Sequence, residues 1–491
     1  MPGRYGAMSI ASGALSAEQA ALDATTNNVA NVNTPGYSRL RPVLAENDPV
    51  VLGSVTFGMG VSLQKLESLR DPILQRRIQE ETGQQGHLNA LVTAMRQAQV
   101  QFTSSSSDIG TEISNFFRSL DQLSTDPTNL SLRQGVLTAA SNMASAFNNT
   151  ANNLIQQRSN LDLNVGQDVA QVNTLSSQIA TLNLRISELQ GVNQDASAFV
   201  DQRDVLIGQL SNLIDVSTIQ SDDGLTLTTS NGTALVVGGQ SFSLCTKTNR
   251  SGLQDVYDSQ GKDISANLTS GELAGLLEMR DQKLPGILAN LDTLAAGLAN
   301  GINAAHQGGY DSNGNPIGGF DLNGDPGGNL FVIPPLSGQG AAAALKVQIT
   351  DPALIAASSD PTASGSNGNI AALSAVQDQS VAGGQTPTDY YASLVFDVGN
   401  EVATNSAELN SSQLILTQLN DQRGSISGVS LNEEAANMLQ YQNAFDAAAR
   451  VVTTINEMPR SCAEADVLQK VVSLNQIPEQ IMQATRYRRH V

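Results

Sequence analysis

Two stretches of the chain carry oxygen ligands at the spacing of a calcium loop, Asp311, Asn313 and Asn315 and then Asp321, Asn323 and Asp325. Such a loop needs Gly at its sixth position for a sharp turn and a bidentate Glu at its twelfth. Here the sixth is Pro316 or Pro326 and the twelfth is Leu322 or Val332, so both stretches read as turn-forming loops. The three histidines, His87, His306 and His490, have no second ligand at helical or hairpin spacing. That disfavours a zinc site and a Ser-His-Asp triad. Gly58-Met59-Gly60 is followed by Leu63 where a dinucleotide loop wants Gly or Ala. Asp201, Arg203 and Asp204 read as a solvated helix face with local ion pairs. Cys245 and Cys462 lie far apart and are too few for a disulfide framework or a thiolate metal site. The expectation is a chain without catalytic, cofactor or metal residues, and not an enzyme.

The residues that remain informative are structural, and they sit on two helices at opposite ends of the sequence. Met8, Ala11, Leu15, Leu22, Thr25, Val29 and Val32 fall on one alternating three-four stripe, with only Glu18 polar in the series. Asn33-Thr34-Pro35-Gly36 then breaks the helix, because Pro35 pushes Thr34 out of the α region and Gly36 tolerates positive φ. The chain must turn there and leave extended toward Tyr37. At the far end a second stripe runs from Leu431 through Ala435, Met438, Gln442, Phe445, Ala449 and Val452. Ser430 or Asn432 is placed to cap it, with Glu433 and Glu434 in the first turn where the helix dipole favours anions. Both apolar faces are narrow and alanine-rich. They must bury themselves on each other, as a coiled-coil-like pair, or on another molecule.

Asn27-Asn28-Val29-Ala30-Asn31-Val32-Asn33-Thr34-Pro35-Gly36-Tyr37-Ser38-Arg39 and Ser427-Gly428-Val429-Ser430-Leu431-Asn432-Glu433-Glu434-Ala435-Ala436-Asn437 closely resemble the two ends of the bacterial flagellar axial proteins. Within that family the resemblance is to the hook-associated branch. Tyr37-Ser38-Arg39 and the Glu433 to Asn437 run set it apart from hook and rod subunits, which tend to have Phe-Lys after the glycine. The resemblance implies a structural subunit of the flagellum at the hook–filament junction. A hook or distal rod subunit is the nearest alternative, and a secreted coiled-coil adhesin or effector a more distant one. It further implies an assembly motif at Asn27, Asn28, Asn31, Asn33, Thr34, Pro35, Gly36 and Tyr37. Terminal packing would fall to Leu15, Leu22, Val29, Leu431, Met438, Phe445 and Val452. The implied partners are copies of the chain in a ring or helix, the hook protein, a second junction protein adjoining the filament, a cytoplasmic chaperone for the C-terminal region, and the flagellar export machinery.

Bulk properties agree with an assembly subunit. A formal charge of −20 over 491 residues argues against nucleic acid and against an anionic membrane surface as partners. Aromatics make up 4 % and Trp is absent, which suits long helices and self-associating polar surfaces better than an aromatic-lined pocket. Residues 1–19 lack a continuous apolar core and no apolar run is long enough to span a bilayer. The resemblance implies export to the flagellum without a cleaved signal.

Along the chain the pattern is mainly α with an inserted β-rich domain. The segment after Pro42, to Arg70, reads as short strands or a glycine-bent linker. Helical periodicity runs from Asp71-Pro72, with a Ser-rich break at Ser104 to Ser107, to about Leu123, and Thr125-Asp126-Pro127 looks like the next helix start. From about Asn129 to Gln190 a helix of about 90 Å carries Val165, Val172, Ile179 and Ile186 every seven residues, interleaved with Leu161, Leu175, Leu182 and Leu189 and interrupted by Asp168. Its seam suits a parallel dimer or packing within the chain. The seven-residue stripe Tyr391, Val395, Val398, Val402, Leu409, Leu416 and Leu419 is its expected intrachain partner. Residues 215–258 alternate at period two between turn signals such as Asn231-Gly232 and read as strands. Residues 272–305 return to a helix, with a kink expected at Pro285. The division expected is a nested one: an inner module of 1–45 with 427–458, a long-helix rod of 46–214 with 370–426, and an outer β-rich module of 215–369. Helix 272–305 fits either of the last two. Pro459 should end the last helix, leaving 459–491 as an atypical tail, peripheral or the product of a shifted reading frame.

Overall fold

The computed structural model describes residues 2–52, 55–103, 108–221, 224–310, 316–332 and 340–457. The first loop at Asp311, and also Cys462, His490 and the tail, lie outside the described residues. The fold is mostly helical with a few small sheets. The chain divides into two compact units, residues 1–75, 184–205 and 419–491 in the first and 76–183 and 206–418 in the second.

In the first unit, α1 (Pro2–Ala30) is followed by an antiparallel ribbon. Strands β1 (Leu40–Glu46) and β4 (Val61–Ser68) pair from Leu40↔Ser68 to Glu46↔Val61, with a register shift between Val43 and Leu44. The ribbon continues into β2 (Val50–Leu52) and β3 (Val55–Phe57), paired with each other. Helix α1 packs along β1 and β4. The face it buries is made of small residues, Ala11, Ala17, Ala21, Ala24 and Thr25, because only short side chains let a helix approach a strand ribbon closely.

The second unit is built on three long helices, α2 (Pro72–Thr103), α3 (Ile109–Thr125) and α4 (Leu130–Gly191). The Asp108 side chain caps α3 by accepting from Thr111 N, and α3 buries Ile109, Ile113, Phe116, Leu120 and Leu123 on one face. The expected helix start at Thr125-Asp126-Pro127 is instead the turn between α3 and α4. Asn129 is the cap, its Oδ1 accepting from Ser131 N and Leu132 N at 2.9 and 3.3 Å. Helix α4 is 62 residues long, about 90 Å at the α-helical rise. Helix α5 (Ser197–Leu213) returns after it.

Strands β5 (Ser217–Ser221), β6 (Gly224–Thr228), β7 (Ala234–Val237) and β8 (Gln240–Ser241) form an antiparallel sheet in sequence order, and β9 (Cys245–Thr248) pairs with β10 (Gln254–Tyr257). These strands dock on α4 through polar side chains along it. Asn173 exchanges two hydrogen bonds of 2.8 Å with the Leu244 backbone, and Asn183 donates to the carbonyls of Leu225 and Gly238. Val165, Val172 and Ile179 are buried in this core, so the α4 seam is covered inside the chain rather than held open for a parallel dimer.

Helix α6 (Glu272–Glu278) passes through a π turn, Met279–Lys283, into α7 (Leu284–Gln307). The wide turn accommodates Pro285, which lacks the N–H that a regular turn would use. Arg280 inside it is fully buried and bonds Asp162 Oδ1 on α4 at 2.7 Å, Gln254 O at 2.6 Å and Asp281 Oδ2 at 2.7 Å. Short elements follow, with α8 (Ala341–Ala344) and α9 (Gly368–Ser374) against α7.

Helix α10 (Pro387–Ser427) shares a buried core with α4, Tyr391, Leu394, Val398 and Val402 lying in one cluster with Leu161 and Val165. Its stripe is met by α2: Tyr391 Oη donates to Phe102 O, Arg96 to Ser406 Oγ, and Leu409 clusters with Leu88 and Val92. Helix α2 also bonds α4, since Gln157 donates to Ala94 O at 2.6 Å. Helix α2 thus packs on α10 as well, through the buried positions Leu88, Val92, Met95 and Phe102, whose spacing is less regular than the heptads of α4. The last helix, α11, spans residues 431–457 and belongs to the first unit.

Candidate functional site

The turn after α1 is held by a dense polar node inside the first unit. Asn28, on the last turn of α1, is 1 % exposed and uses every hydrogen-bonding position of its amide. Its Nδ2 donates to Leu40 O at 2.9 Å and Glu434 Oε2 at 3.1 Å. Its Oδ1 accepts from Leu40 N and from Tyr37 Oη, both at 2.8 Å. One side chain thereby fixes the end of α1, the start of the ribbon and the first turn of α11. Burial above all, then the negative charges of Asp201, Glu434 and Asp195, pushes the Tyr37 hydroxyl up to about 12, so it stays a donor at any physiological pH.

The turn itself is closed locally. Asn31 Nδ2 donates to Asn27 O at 3.0 Å and Thr34 N to Asn31 O at 2.9 Å, while Tyr37 N donates to Thr34 O at 3.2 Å. Asn33, Thr34 and Pro35 are exposed. Gly36 holds φ +83°, and a Cβ there would stand against Val205 Cγ2 of α5. Its carbonyl accepts from Arg423 Nη2 at 2.9 Å.

Beyond the turn, Ser38 is buried and both its backbone N and its Oγ donate to Asp201, at 3.1 and 2.8 Å. Arg70 Nη2 donates to the same carboxylate at 2.8 Å and to Ser197 O at 2.8 Å. Arg39 lies 2.6 Å from Glu433 Oε2 and 2.6 Å from Glu434 Oε1, and its backbone N donates to Ser427 O. Ser430 caps α11, its Oγ accepting from Glu433 N at 3.5 Å. The carboxylates of that first turn therefore serve Arg39.

The solvated face expected at Asp201, Arg203 and Asp204 is not what forms. Asp201 is 7 % and Arg203 9 % exposed, and burial pushes the Asp204 carboxyl above the usual carboxylate range. A buried carboxylate persists when several donors and a cation reach it together, and Ser38 and Arg70 supply both. In the sequence Asp201 reads as part of a solvated face, and nothing there gives Arg70 or Arg423 a role. The one signal for Asp201 is the Val200-Asp201-Gln202-Arg203-Asp204-Val205 run, where charges are flanked by valines.

Of the terminal packing residues, Leu15, Leu22, Val29, Met438, Phe445 and Val452 are half-buried and Leu431 is exposed. Helices α1 and α11 run antiparallel, for Asn28 meets Glu434 and Tyr441 lies in the field of Glu18. Burial raises the ionisation range of Glu18.

The remaining sequence candidates have structural partners. Asp321 Oδ1 accepts from Asn323 N and Asp325 N, closing its own turn. His306 is fully buried, its Nδ1 donating to Gly328 O and its Nε2 accepting from Ala356 N, and burial foremost keeps it neutral. His87 bonds Glu278 at 2.8 Å. Among the described residues, no group of three or more His, Cys, Asp or Glu side chains is placed to hold a metal ion, and no helix is long and apolar enough to cross a membrane. What the node does chemically is fix a chain direction.

Three family models match the chain: the helical domain of flagellar hook-associated protein FlgK over residues 95–331, the flagellar basal body rod protein over 8–37, and the C-terminal region of the basal body rod proteins over 422–463. The chain is 28 % identical to flagellar hook-associated protein 1 of Escherichia coli K12 over an alignment of 526 positions, covering 90 % of this chain and 96 % of that one. It is 29 % identical to the protein of the same name from Bacillus subtilis 168, covering 91 % and 95 %. The solved flagellar hook junction protein FlgK of Burkholderia pseudomallei superimposes with a TM-score of 0.62 over 72 % of this chain and all of that one, at 19 % identity, which is a shared fold.

Proposed function

The chain belongs to the hook-associated family of bacterial flagellar axial proteins, and on that premise we propose that it polymerises at the hook–filament junction and joins hook to filament. The observation that carries this reading is the polar node, in which Asn28 and Arg39 tie the turn after the first helix to Glu433 and Glu434 in the first turn of the last one. A subunit that builds an axial structure needs its two ends to act together, and here one cluster of side chains joins them. In this reading the chain is a structural subunit with no catalytic step. The node keeps α1 and α11 paired while their outer faces stay free for neighbouring copies. A head-to-tail contact of that kind propagates as a ring or a helix.

The nested division belongs to the same proposal: an inner module of 1–45 with 427–458, a rod of 46–214 with 370–426 and an outer module of 215–369. So do the finer partners: the hook protein, a second junction protein adjoining the filament, a cytoplasmic chaperone for the C-terminal region, and export through the flagellar machinery without a cleaved signal. Electron microscopy of a deletion strain is the test. Intact hooks that carry no filament are expected. Missing hooks would assign the chain to the hook or distal rod, and an unaltered flagellum would leave a secreted adhesin or effector.

A further inference from the structure

The β-ribbon of the first unit has two ends of opposite character. It runs along α1 from the Asn28–Leu40 bonds to a close approach of Gly60 to Ile10, and β2 and β3 extend past that point. At this tip Val51 is 66 % and Phe57 51 % exposed, with Val50 beside them. A two-stranded hairpin is marginal in water without a surface to cover it, and among the described residues β2 and β3 pair only with each other. The tip is also acidic. Residues 46–60 contain Glu46 and Asp48 and no Lys or Arg, and neither acid has an ion-pair partner among the described residues.

At the other end the ribbon is basic and borders a cleft. Between β4 and the elbow from α4 to α5 lies an opening of about 580 Å³, lined by Leu63, Leu66 and Val200 and by Lys65, Arg70 and Asp195. Lys65, which lines the cleft, and Arg41 on the neighbouring strand, both well exposed, share the single carboxylate of Glu67, at 3.2 and 2.8 Å. One positive charge is left over. Arg70 is already committed to Asp201.

We propose that the ribbon tip of one copy enters this cleft on a neighbouring copy, Phe57 and Val51 covering Leu63, Leu66 and Val200 while Glu46 and Asp48 approach Arg41 and Lys65. The occupant is a second copy because tip and cleft are complementary in polarity and in charge and lie at opposite ends of one ribbon. They cannot meet within a chain, and a contact between unlike patches is heterologous and extends from copy to copy. Interfaces draw their energy from a few aromatic anchors in such clefts, with charges at the rim setting register and partner choice. This inference rests on the reading of the chain as an assembling subunit.

The test is disulfide trapping in flagella. Cys245→Ser and Cys462→Ser clear the chain of thiols, and Phe57→Cys with Val200→Cys then places one thiol at the tip and one in the cleft. After mild oxidation of isolated hook–filament structures, a ladder of covalent multimers is expected from the double variant and none from either single one. Filaments attached normally, with no ladder, would overturn the tip-to-cleft contact and leave the junction role intact. Absence of the unmodified chain from hook–filament structures would overturn both. A second measurement guards against misfolding of the cysteine variants. Lys65→Glu should lower the fraction of hooks bearing filaments by about fivefold, and adding Glu46→Lys should restore it, as rim ion pairs do. Equal loss in the single and the double charge variants would count against the contact.

Discussion

Gly36 stands at φ +83° with Val205 where a Cβ would go, so Gly36→Val meets two penalties at once. An L-residue in that region costs about 1–2 kcal/mol, and the added side chain must displace α5. Junction assembly should fall further than solubility of the purified chain, read as filament attachment against sedimentation of the monomer. A fully motile Gly36→Val strain would show that the turn is not needed in this conformation. Asp201 gives a complementary case. Asp201→Asn leaves Arg70 with only its longer 3.8 Å ion pair to Asp204 and weakens both Ser38 bonds, and removal of one partner from a buried pair costs on the order of 3 kcal/mol. Hydrogen exchange should then quicken at Ser38 and Leu40 while α4 is unchanged. The turn was legible in the sequence because Pro35, Gly36 and Tyr37 are local signals of a break. Asp201 was not, because its partners Ser38 and Arg70 lie 163 and 131 residues away, and no periodicity reports a pairing at that range.

Helix α4 shows how far periodicity carries. Its extent follows from a heptad pattern broken only at Asp168, and the structure ends it at Gly191, one residue from the expected Gln190. What the stripes did not reveal is α2, which also meets α10, through Leu88, Val92 and Phe102, although its own apolar spacing is weaker than that of α4. Asp168, the one interruption in the α4 stripe, now has a definite environment. Its Oδ2 is buried with no hydrogen-bond partner, and burial, then the charge of Glu272, pushes its ionisation up to about 7. Because the folded value lies above the unfolded one, the stability tied to this proton is fully present below about pH 4 and is lost as pH rises through 7. Asp168→Asn should therefore stabilise the second unit at pH 8 by on the order of 2 kcal/mol relative to the parent and change little at pH 4. Thermal unfolding across that range checks it. Parallel pH profiles for parent and variant would show that Asp168 is ionised throughout.

At the scale of the molecule, two long-helix patterns, a strand-rich insert and paired ends were all visible in the sequence, while the β-ribbon packed on α1 was read only as strands or a linker. Its residues alternate poorly around Gly53, Gly58 and Gly60, and one face of it is covered by alanines too small to register as a stripe. Those alanines also set the energetics of the ends. At about 25 cal/mol per Å² small side chains hardly offset the ~1–2 kcal/mol of backbone entropy lost per ordered residue. Within one copy Leu15, Leu22, Val29, Met438, Phe445 and Val452 are still only half-buried, which leaves neighbouring copies to cover the rest. The ends should accordingly open readily in the free subunit and become firmly ordered on assembly, when each helix gains a second buried face. Amide hydrogen exchange on the full-length chain, free and in isolated hook–filament structures, measures this directly. The account expects weak protection over residues 11–32 and 431–452 in the free subunit and strong protection once assembled. Strong protection of both segments in the free subunit would mean that the paired ends are complete without neighbours, and would contradict it.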